Sequence, residues 1–522
     1  MSLGRSLSVS LVGLEGYVIE VQADVGGGLP AFVLLGLPDA SLTESRDRVR
    51  SAARNIGLPL SPRRLTVNLM PAALPKRGTA FDVPILLSAL MADNVLTVPP
   101  DIVFLGELTL DGFLRPVPGV LPAVVAAQAS GIRKFAVPAE NLAEAQLAGD
   151  VDVRGFQHVC ELLTALGVDP QGLTFPNLSV REHSLGSAAG TDGTVAVDES
   201  SVAPDLADVD GQAHAKFALQ VAAAGAHHLM MVGAPGSGKT MIAERLPTIL
   251  PDLDLTESLE STSIHSLSMG GKPIQKLITR PPFVSPHHSA SMAAMVGGGS
   301  GIPRPGAISK AHRGVLFLDE APEFQTKTLD ALRQPLEQGK LTIHRATGAA
   351  EYPARFQLVL AANPCPCGLF SGTGSDCTCR PDARRRYFAR LSGPLLDRID
   401  IRVDVQPQTR AQQVVGARTE RITSAQTRER VQTARLAQAE RWASLGISTN
   451  AEVPGSLLRG AFAVGSRQRR PLDRASDQGK ISGRGYDRVL RIAWTLCDLD
   501  GTTSPDEDHI HQALTLRQGM TL

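Results

Sequence analysis

From residue 1 to about 175, short β-branched runs (YVIEVQADV, RLTVNLM, IVFLGELTL and KFAVP) alternate with stretches of helical period such as SRDRVRSAARNIG and DVPILLSALMADN. Periods of two and 3.6 interleaved in this way predict an α/β domain over 1–175. Over 176–204 the pattern stops. SLGSAAGTDGTVAVDESS has neither period and too little apolar content to offset the entropy of ordering, so it reads as a linker. Strands return as HHLMMVG, GVLFLDE, FQLVLAAN and IDIRVDV, separated by helical stretches such as QTKTLDALRQPLEQG. That alternation predicts a parallel sheet covered by helices over 205–410. The remainder, 411–522, reads as helical: SAQTRERVQTARLAQAERW carries apolar and alanine positions at helical spacing, and GRGYDRVLRIAWTLCDL and DEDHIHQALTLRQ follow.

Composition narrows the function classes. A chain of 522 residues is too long for one core, which agrees with several domains. Lysine plus arginine and aspartate plus glutamate both number 52, so no overall field draws a polyanion, and a nucleic-acid contact must come from local patches or an internal channel. No apolar run approaches the roughly 18 residues of a spanning helix, and MSLGRSLSVSLVGLEG breaks where a signal peptide needs a continuous apolar core. A cytoplasmic protein without a membrane partner is the expectation. Four of the six cysteines crowd between Cys365 and Cys379, which is not the scattered pattern of a disulfide framework.

The chemistry concentrates in the second α/β unit. Gly233, Ala234, Pro235, Gly236, Ser237, Gly238, Lys239 and Thr240 spell G-x-x-x-x-G-K-[ST] between the apolar strand HHLMMV and a helix. Its glycines let backbone N–H groups curl around phosphate oxygens, Lys239 pairs with the terminal phosphates, and the Thr240 hydroxyl suits magnesium. GVLFLDE delivers Asp319 and Glu320 to the strand edge where ligand crevices form. Asp319 belongs with the magnesium shell, and Glu320 is placed to polarise the attacking water. Asn363 ends a neighbouring strand and suits orientation of that water. Arg398, in GPLLDRID, is placed to reach a neighbouring chain's phosphate as an arginine finger, which requires a ring. Arg484 is a candidate to close over the nucleotide of its own chain, with Arg488 one turn later as its competitor.

In this order GAPGSGKT, GVLFLDE, LAANPCPCG and GPLLDRIDI resemble the AAA+ module of the magnesium-chelatase-like ComM/YifB family, over nearly the whole chain. The resemblance implies a P-loop parallel sheet with a helical lid, ATP and Mg2+ as cofactors, and a nucleotide-driven homo-hexamer. It also implies helicase or branch-migration work on single-stranded or branched DNA, as in natural transformation. The long segment from about Thr256 to Arg313 resembles the helix insert of such proteins, and KLTIHRATGAAEYPARFQL resembles the hairpin before sensor one, with a turn near Gly348; both are expected to project toward the pore. Lys340, His344 and Arg345 then either track a phosphate backbone or form a solvated hairpin face. With aromatic residues at 4%, base-stacking platforms are few, so recognition by backbone or shape is expected. ARRRYFAR and RQRRPLDR are further basic patches that surface charge or subunit contacts explain equally well.

Cys365, Cys367, Cys377 and Cys379 form two C-x-C pairs. They read either as a tetrahedral Zn2+ site pinning the loop after Asn363 or as reduced structural thiols. PKRGTAFDVPILLSAL and GELTLDGFLRPVPGVLPAVVAA resemble the proteolytic domain of Lon, which uses a serine activated by a lysine. Ala80 falls at the serine position and Leu121 at the lysine position, so both the nucleophile and its base are missing and no peptidase activity is expected. The 1–175 unit is then an inactive Lon-protease-like (ribosomal-protein-S5-domain-2-like) domain that serves assembly or binds a protein partner. A protein remodeller and a metal-insertion motor are the competing readings; the Lon-like domain, absent from chelatase motor subunits, counts against the latter.

Overall fold

The computed structural model describes residues 3–36, 40–74, 76, 78–175, 204–268, 273–298, 303–345, 348–370, 377–407 and 421–519. The expected linker falls on 176–203, outside the described residues. The N-terminal unit is a mixed seven-stranded sheet in the spatial order Ala31–Leu35, Arg64–Met70, Glu15–Gly26, Gly4–Val12, Ile102–Phe104, Lys134–Pro138, Asp152–Phe156. Helix Asp82–Ala92 is apolar nearly all round and packs on the two longest strands. The strand Gly4–Val12 has no counterpart in the expected elements. Its buried face is made of Ser6, Ser8 and Ser10. The Ser6 hydroxyl donates to the Pro84 carbonyl at 2.8 Å and the Ser8 hydroxyl to that of Phe104 at 3.1 Å. Small side chains with paired hydroxyls satisfy burial without hydrophobicity, so an apolar count passes over them.

The second sheet is parallel throughout, in the order Phe283–Val284, Val315–Leu318, Gln357–Ala362, Leu229–Val232, Ile401–Asp404. Its three central strands are buried on both faces, which matches their continuous apolar runs. Leu229, Met231, Phe317, Val359 and Val403 face a core shared with helices Ala213–Gly225, Ser424–Trp442, Gly483–Leu499 and Glu507–Gln518, including Trp442 and Leu496. Met230, Leu316, Leu318, Leu358 and Leu360 face a second core with Leu329, Leu395 and Ile399. The C-terminal helices therefore pack on the back of the sheet. The expected single helix QTKTLDALRQPLEQG is two, Thr326–Asp330 and Arg333–Gln338. Pro335 explains the break, since it lacks an N–H and its ring would clash with the carbonyl four residues back.

The expected helix insert begins as helix Leu255–Ser268, and the expected hairpin pairs Lys340–Arg345 with Gly348–Pro353. Both touch the N-terminal unit. Ser266 of the insert accepts the Gly119 N–H at 3.1 Å and its hydroxyl reaches Glu144, which also accepts the Leu121 N–H at 3.1 Å. Leu14 and Leu267 pack against Ile343, Ala350 and Tyr352 of the hairpin. No helix among the described residues is long and apolar enough to cross a membrane.

Candidate active site

Parallel strands end together, and here their carboxyl ends bring the sequence motifs to one crevice. Val232, Leu318 and Ala362 are the last residues of three adjacent strands, so Gly233, Asp319 and Asn363 emerge side by side. The Gly233 N–H is bonded to the Ala362 carbonyl at 3.1 Å, joining two of those exits. Gly236 and Gly238 take left-handed backbone angles, φ +74° and +93°, and nothing lies within 4 Å of where a Gly236 side chain would start. That opening, with the buried Ser237 hydroxyl left unpartnered, is the cradle a phosphate chain fills.

Lys239 is buried and donates to the Gly233 and Ala234 carbonyls at 2.7 and 3.0 Å and to the Asn363 amide oxygen at 3.2 Å. Burial lowers its pKa, opposed by the charges of Asp319 and Glu320. The Thr240 hydroxyl donates to Asp319 Oδ2 at 2.7 Å, the pairing of hydroxyl and carboxylate that a magnesium shell needs. Asp319 Oδ1 accepts the Glu320 N–H at 2.9 Å, and Glu320 sits at φ +49°, a strained region for a residue with a side chain. The Glu320 carboxylate is half-exposed beside His288 Nδ1, 3.5 Å away. His288 comes from the insert and was not singled out by sequence; its only signal is the adjacent pair His287 and His288 in a Gly- and Ser-rich stretch.

Arg398 lies at the opposite edge. It precedes Ile401, whose strand runs parallel to the phosphate-loop strand with Ile401 opposite Leu229 and Asp404 opposite Val232. About 13 Å of strand therefore separates it from the loop. Its guanidinium is buried, paired with Glu337 and the Pro394 carbonyl, while its Nε lacks a partner. Arg484 stands at the same edge, exposed and 3.9 Å from Asp397. Arg484, expected to close over its own chain's nucleotide, thus stands beside the residues that precede the strand Ile401–Asp404. Arg488 is committed to the buried Asp400.

Asp400 anchors this edge. It accepts the His228 N–H at 3.0 Å and lies 3.8 Å from His227 Nδ1, and its pKa is held well below the carboxylate range chiefly by the charge of Arg488, against the cost of burial. Burial pushes both His227 and His228 down to about 4. Histidines depressed in the folded state bind more protons unfolded, so their contribution is present above pH 6.5 and is lost as pH falls toward 4. The apparent unfolding midpoint is expected to drop over that window by an amount worth a few kcal/mol, and the drop should shrink in His227→Gln; a midpoint flat from pH 7 to 4 would show that the pair does not titrate on unfolding.

In the hairpin Lys340 pairs diagonally with Glu351 at 2.9 Å, and His344 is exposed. Arg345 ends its strand, and its side chain lies outside what is described. In the N-terminal unit Leu121 is fully buried, and Ala80 is partly buried against the core that includes Val120 and Val124. Arg390 pairs with Glu323 at 2.9 Å, so that part of the basic run is committed within the chain.

A phosphate loop, two carboxylates and an amide on adjacent parallel strands, with an insert, a hairpin and C-terminal helices, define a P-loop ATPase of the AAA+ type. Profiles for magnesium chelatase subunit ChlI match residues 205–413, for subunit ChlI of Mg-chelatase residues 21–141, and for the ChlI C-terminal region residues 421–517. The chain is 50% identical to an uncharacterized protein of Mycobacterium tuberculosis over 523 residues, 99% of each chain. It is 40% identical to competence protein ComM of Haemophilus influenzae over 521 residues (99% of this chain, 98% of that one) and 38% identical to YifB of Escherichia coli over 525 (99% and 97%). A shorter stretch is 26% identical to Lon protease of Mycolicibacterium smegmatis over 173 residues, 31% of this chain and 22% of that one. The chain belongs to the ComM/YifB family of magnesium-chelatase-like AAA+ ATPases, whose members use ATP and Mg2+. The N-terminal match also carries a chelatase description, so the presence of that domain does not by itself argue against a chelatase-type motor.

Proposed function

We propose that the chain is an ATP-driven ring motor, assembled as a homo-hexamer, that moves single-stranded or branched DNA as a helicase or branch-migration factor. Bound ATP with magnesium supplies the terminal phosphoryl group that passes to water. Lys239 and the loop amides grip phosphate, Thr240 and Asp319 hold the metal, Glu320 takes the proton of the attacking water, and Asn363 orients that water. Arg398 serves the nucleotide of the next subunit. Zn2+ at the four cysteines completes the cofactor set. The Lon-like domain is a non-proteolytic platform, and the protein works in the cytoplasm.

One observation carries the coupling to DNA. The hairpin's return strand ends at Pro353, and after three residues the chain enters the strand Gln357–Ala362 that delivers Asn363. A shift of the hairpin's return strand therefore reaches the strand that carries the water-orienting amide through a three-residue connection. Full-length similarity to a competence protein points the same way. Replacing His344 and Arg345 with alanine is expected to leave basal ATPase and oligomerisation intact while abolishing DNA stimulation and strand displacement on a forked substrate. Unwinding by the double variant at the parental rate across a range of salt would remove the hairpin as the grip.

The docking of the N-terminal domain on the insert and hairpin favours a second reading, a protein remodeller whose partner enters through that domain. It predicts ATPase stimulation by unfolded protein and none by forked DNA.

A further inference from the structure

The loop leaving Asn363 returns on itself through its cysteines. The sulfurs of Cys365, Cys367, Cys377 and Cys379 all lie within 4.8 Å of one another. Cys365 and Cys367 are 3.3 Å apart, and Cys377 is 3.7 Å from each. A disulfide needs about 2.0 Å, so these are four separate thiols. A tetrahedral zinc with bonds of about 2.3 Å sets its sulfurs about 3.8 Å apart, close to the separations seen. Thiols make weak hydrogen bonds and thiolates repel, so four converging sulfurs call for a cation between them.

The position of the cluster says what such an ion would do. The Gly368 N–H closes a turn on the Cys365 carbonyl at 2.9 Å. Gly368 is left-handed at φ +77°, and a side chain there would begin 2.5 Å from Pro235 Cδ, so the turn lies directly on the phosphate loop. Two residues before Cys365 is Asn363, which accepts from Lys239. Two residues after Cys379 begins helix Pro381–Phe388, whose buried Tyr387 meets the Asn363 backbone. Arg384 of the same helix covers the Phe370 ring at 3.9 Å. The chain thus enters and leaves the cluster beside the same amide, and the cluster's own turn touches the loop that the amide faces.

We propose that the four cysteines hold one structural zinc ion, and that this ion staples the Asn363 loop to the phosphate loop, so that its occupancy sets the rate of hydrolysis without setting nucleotide affinity. The proposal rests on the ATPase reading for its kinetic half alone; its metal half stands independently. The cysteines are positioning residues: they touch neither phosphate nor water. A misplacement of about 1 Å in a water-orienting group can cost about 100-fold in rate, whereas the grip on phosphate comes from Lys239 and the loop amides and survives.

The test begins with elemental analysis of full-length protein purified without added metal or chelator, expected to give about one zinc per chain. Cys377→Ser with Cys379→Ser removes two ligands and leaves the buried Cys365 and its turn in place. This variant should lose its zinc and show kcat for ATP lowered by about 10–100-fold, with nucleotide affinity changed by no more than about threefold. Gly368→Ala breaks the contact with Pro235 instead, and should keep its zinc while hydrolysing slowly. If the double cysteine variant fails to fold, Gly368→Ala and the metal content of the parental protein still decide the matter. Parental protein without zinc that also takes up none from added zinc overturns the site. Zinc-free variant hydrolysing at the parental rate overturns the staple. A parental protein holding one zinc but hydrolysing no ATP supports the site, removes the staple, and brings down the ATPase reading separately.

Discussion

Lys239→Ala is expected to abolish nucleotide binding, whereas Glu320→Gln binds ATP and hydrolyses it about 10²–10⁴-fold more slowly than the parental chain. The two residues sit in one crevice but do different work. Lys239 is buried under the loop, with its ammonium held by the Gly233 and Ala234 carbonyls and Asn363 at 2.7–3.2 Å, so its charge is already aimed at the phosphate cradle. Removing it leaves the cradle with backbone dipoles and no fixed cation. The Glu320 N–H is tied to Asp319 and its half-exposed carboxylate stands beside His288. Exchanging that carboxylate for an amide removes a proton acceptor and keeps the shape, so binding persists while hydrolysis stalls. Equilibrium binding of a fluorescent nucleotide alongside single-turnover hydrolysis separates the two, and equal loss of binding in both variants would refute the assignment.

Arg398→Ala alone is expected to lower ATPase activity by about 10³–10⁵-fold, and activity should return when it is mixed with Lys239→Ala protein. Arg398 is a strand's length from its own loop, so a catalytic part for it must be played on a neighbour. In mixed rings, some interfaces join the intact phosphate loop of one variant to the intact arginine of the other. The arginine is poised for release: its pairing with Glu337 is to a largely exposed carboxylate, which is worth little, and its buried Nε is unsatisfied, a condition costing about 1–3 kcal/mol. Subunit exchange should be verified by mass photometry of tagged chains. Exchange without recovery in any proportion would mean that Arg398 does not act in trans.

Elements that depend on one local signal lie where that signal puts them. SAQTRERVQTARLAQAERW is the helix Ser424–Trp442, with Thr423 capping its first turn, and GRGYDRVLRIAWTLCDL is the helix Gly483–Leu499. Apolar runs ending in Asp319 and Asn363 are buried strands: four and five consecutive apolar residues bounded by turns are too short for an ordinary helix and fit a strand covered on both faces. Local pattern misleads where burial is polar, as in the serine face of Gly4–Val12, and where a proline interrupts an otherwise helical period, as at Pro335.

By itself, then, the sequence determined the phosphate-loop motif, the adjacent carboxylates Asp319 and Glu320 and the α/β class, since each depends on residue types within a few positions of one another. Which edge of the sheet carries Arg484, that His288 reaches Glu320, that four sulfurs converge within 4.8 Å, and that the helix start at Gly119 docks on Ser266 were decided by the tertiary structure. Those partners are brought together by parallel strand order and by the packing of whole helices. Side-chain spacing along a chain carries no information about either.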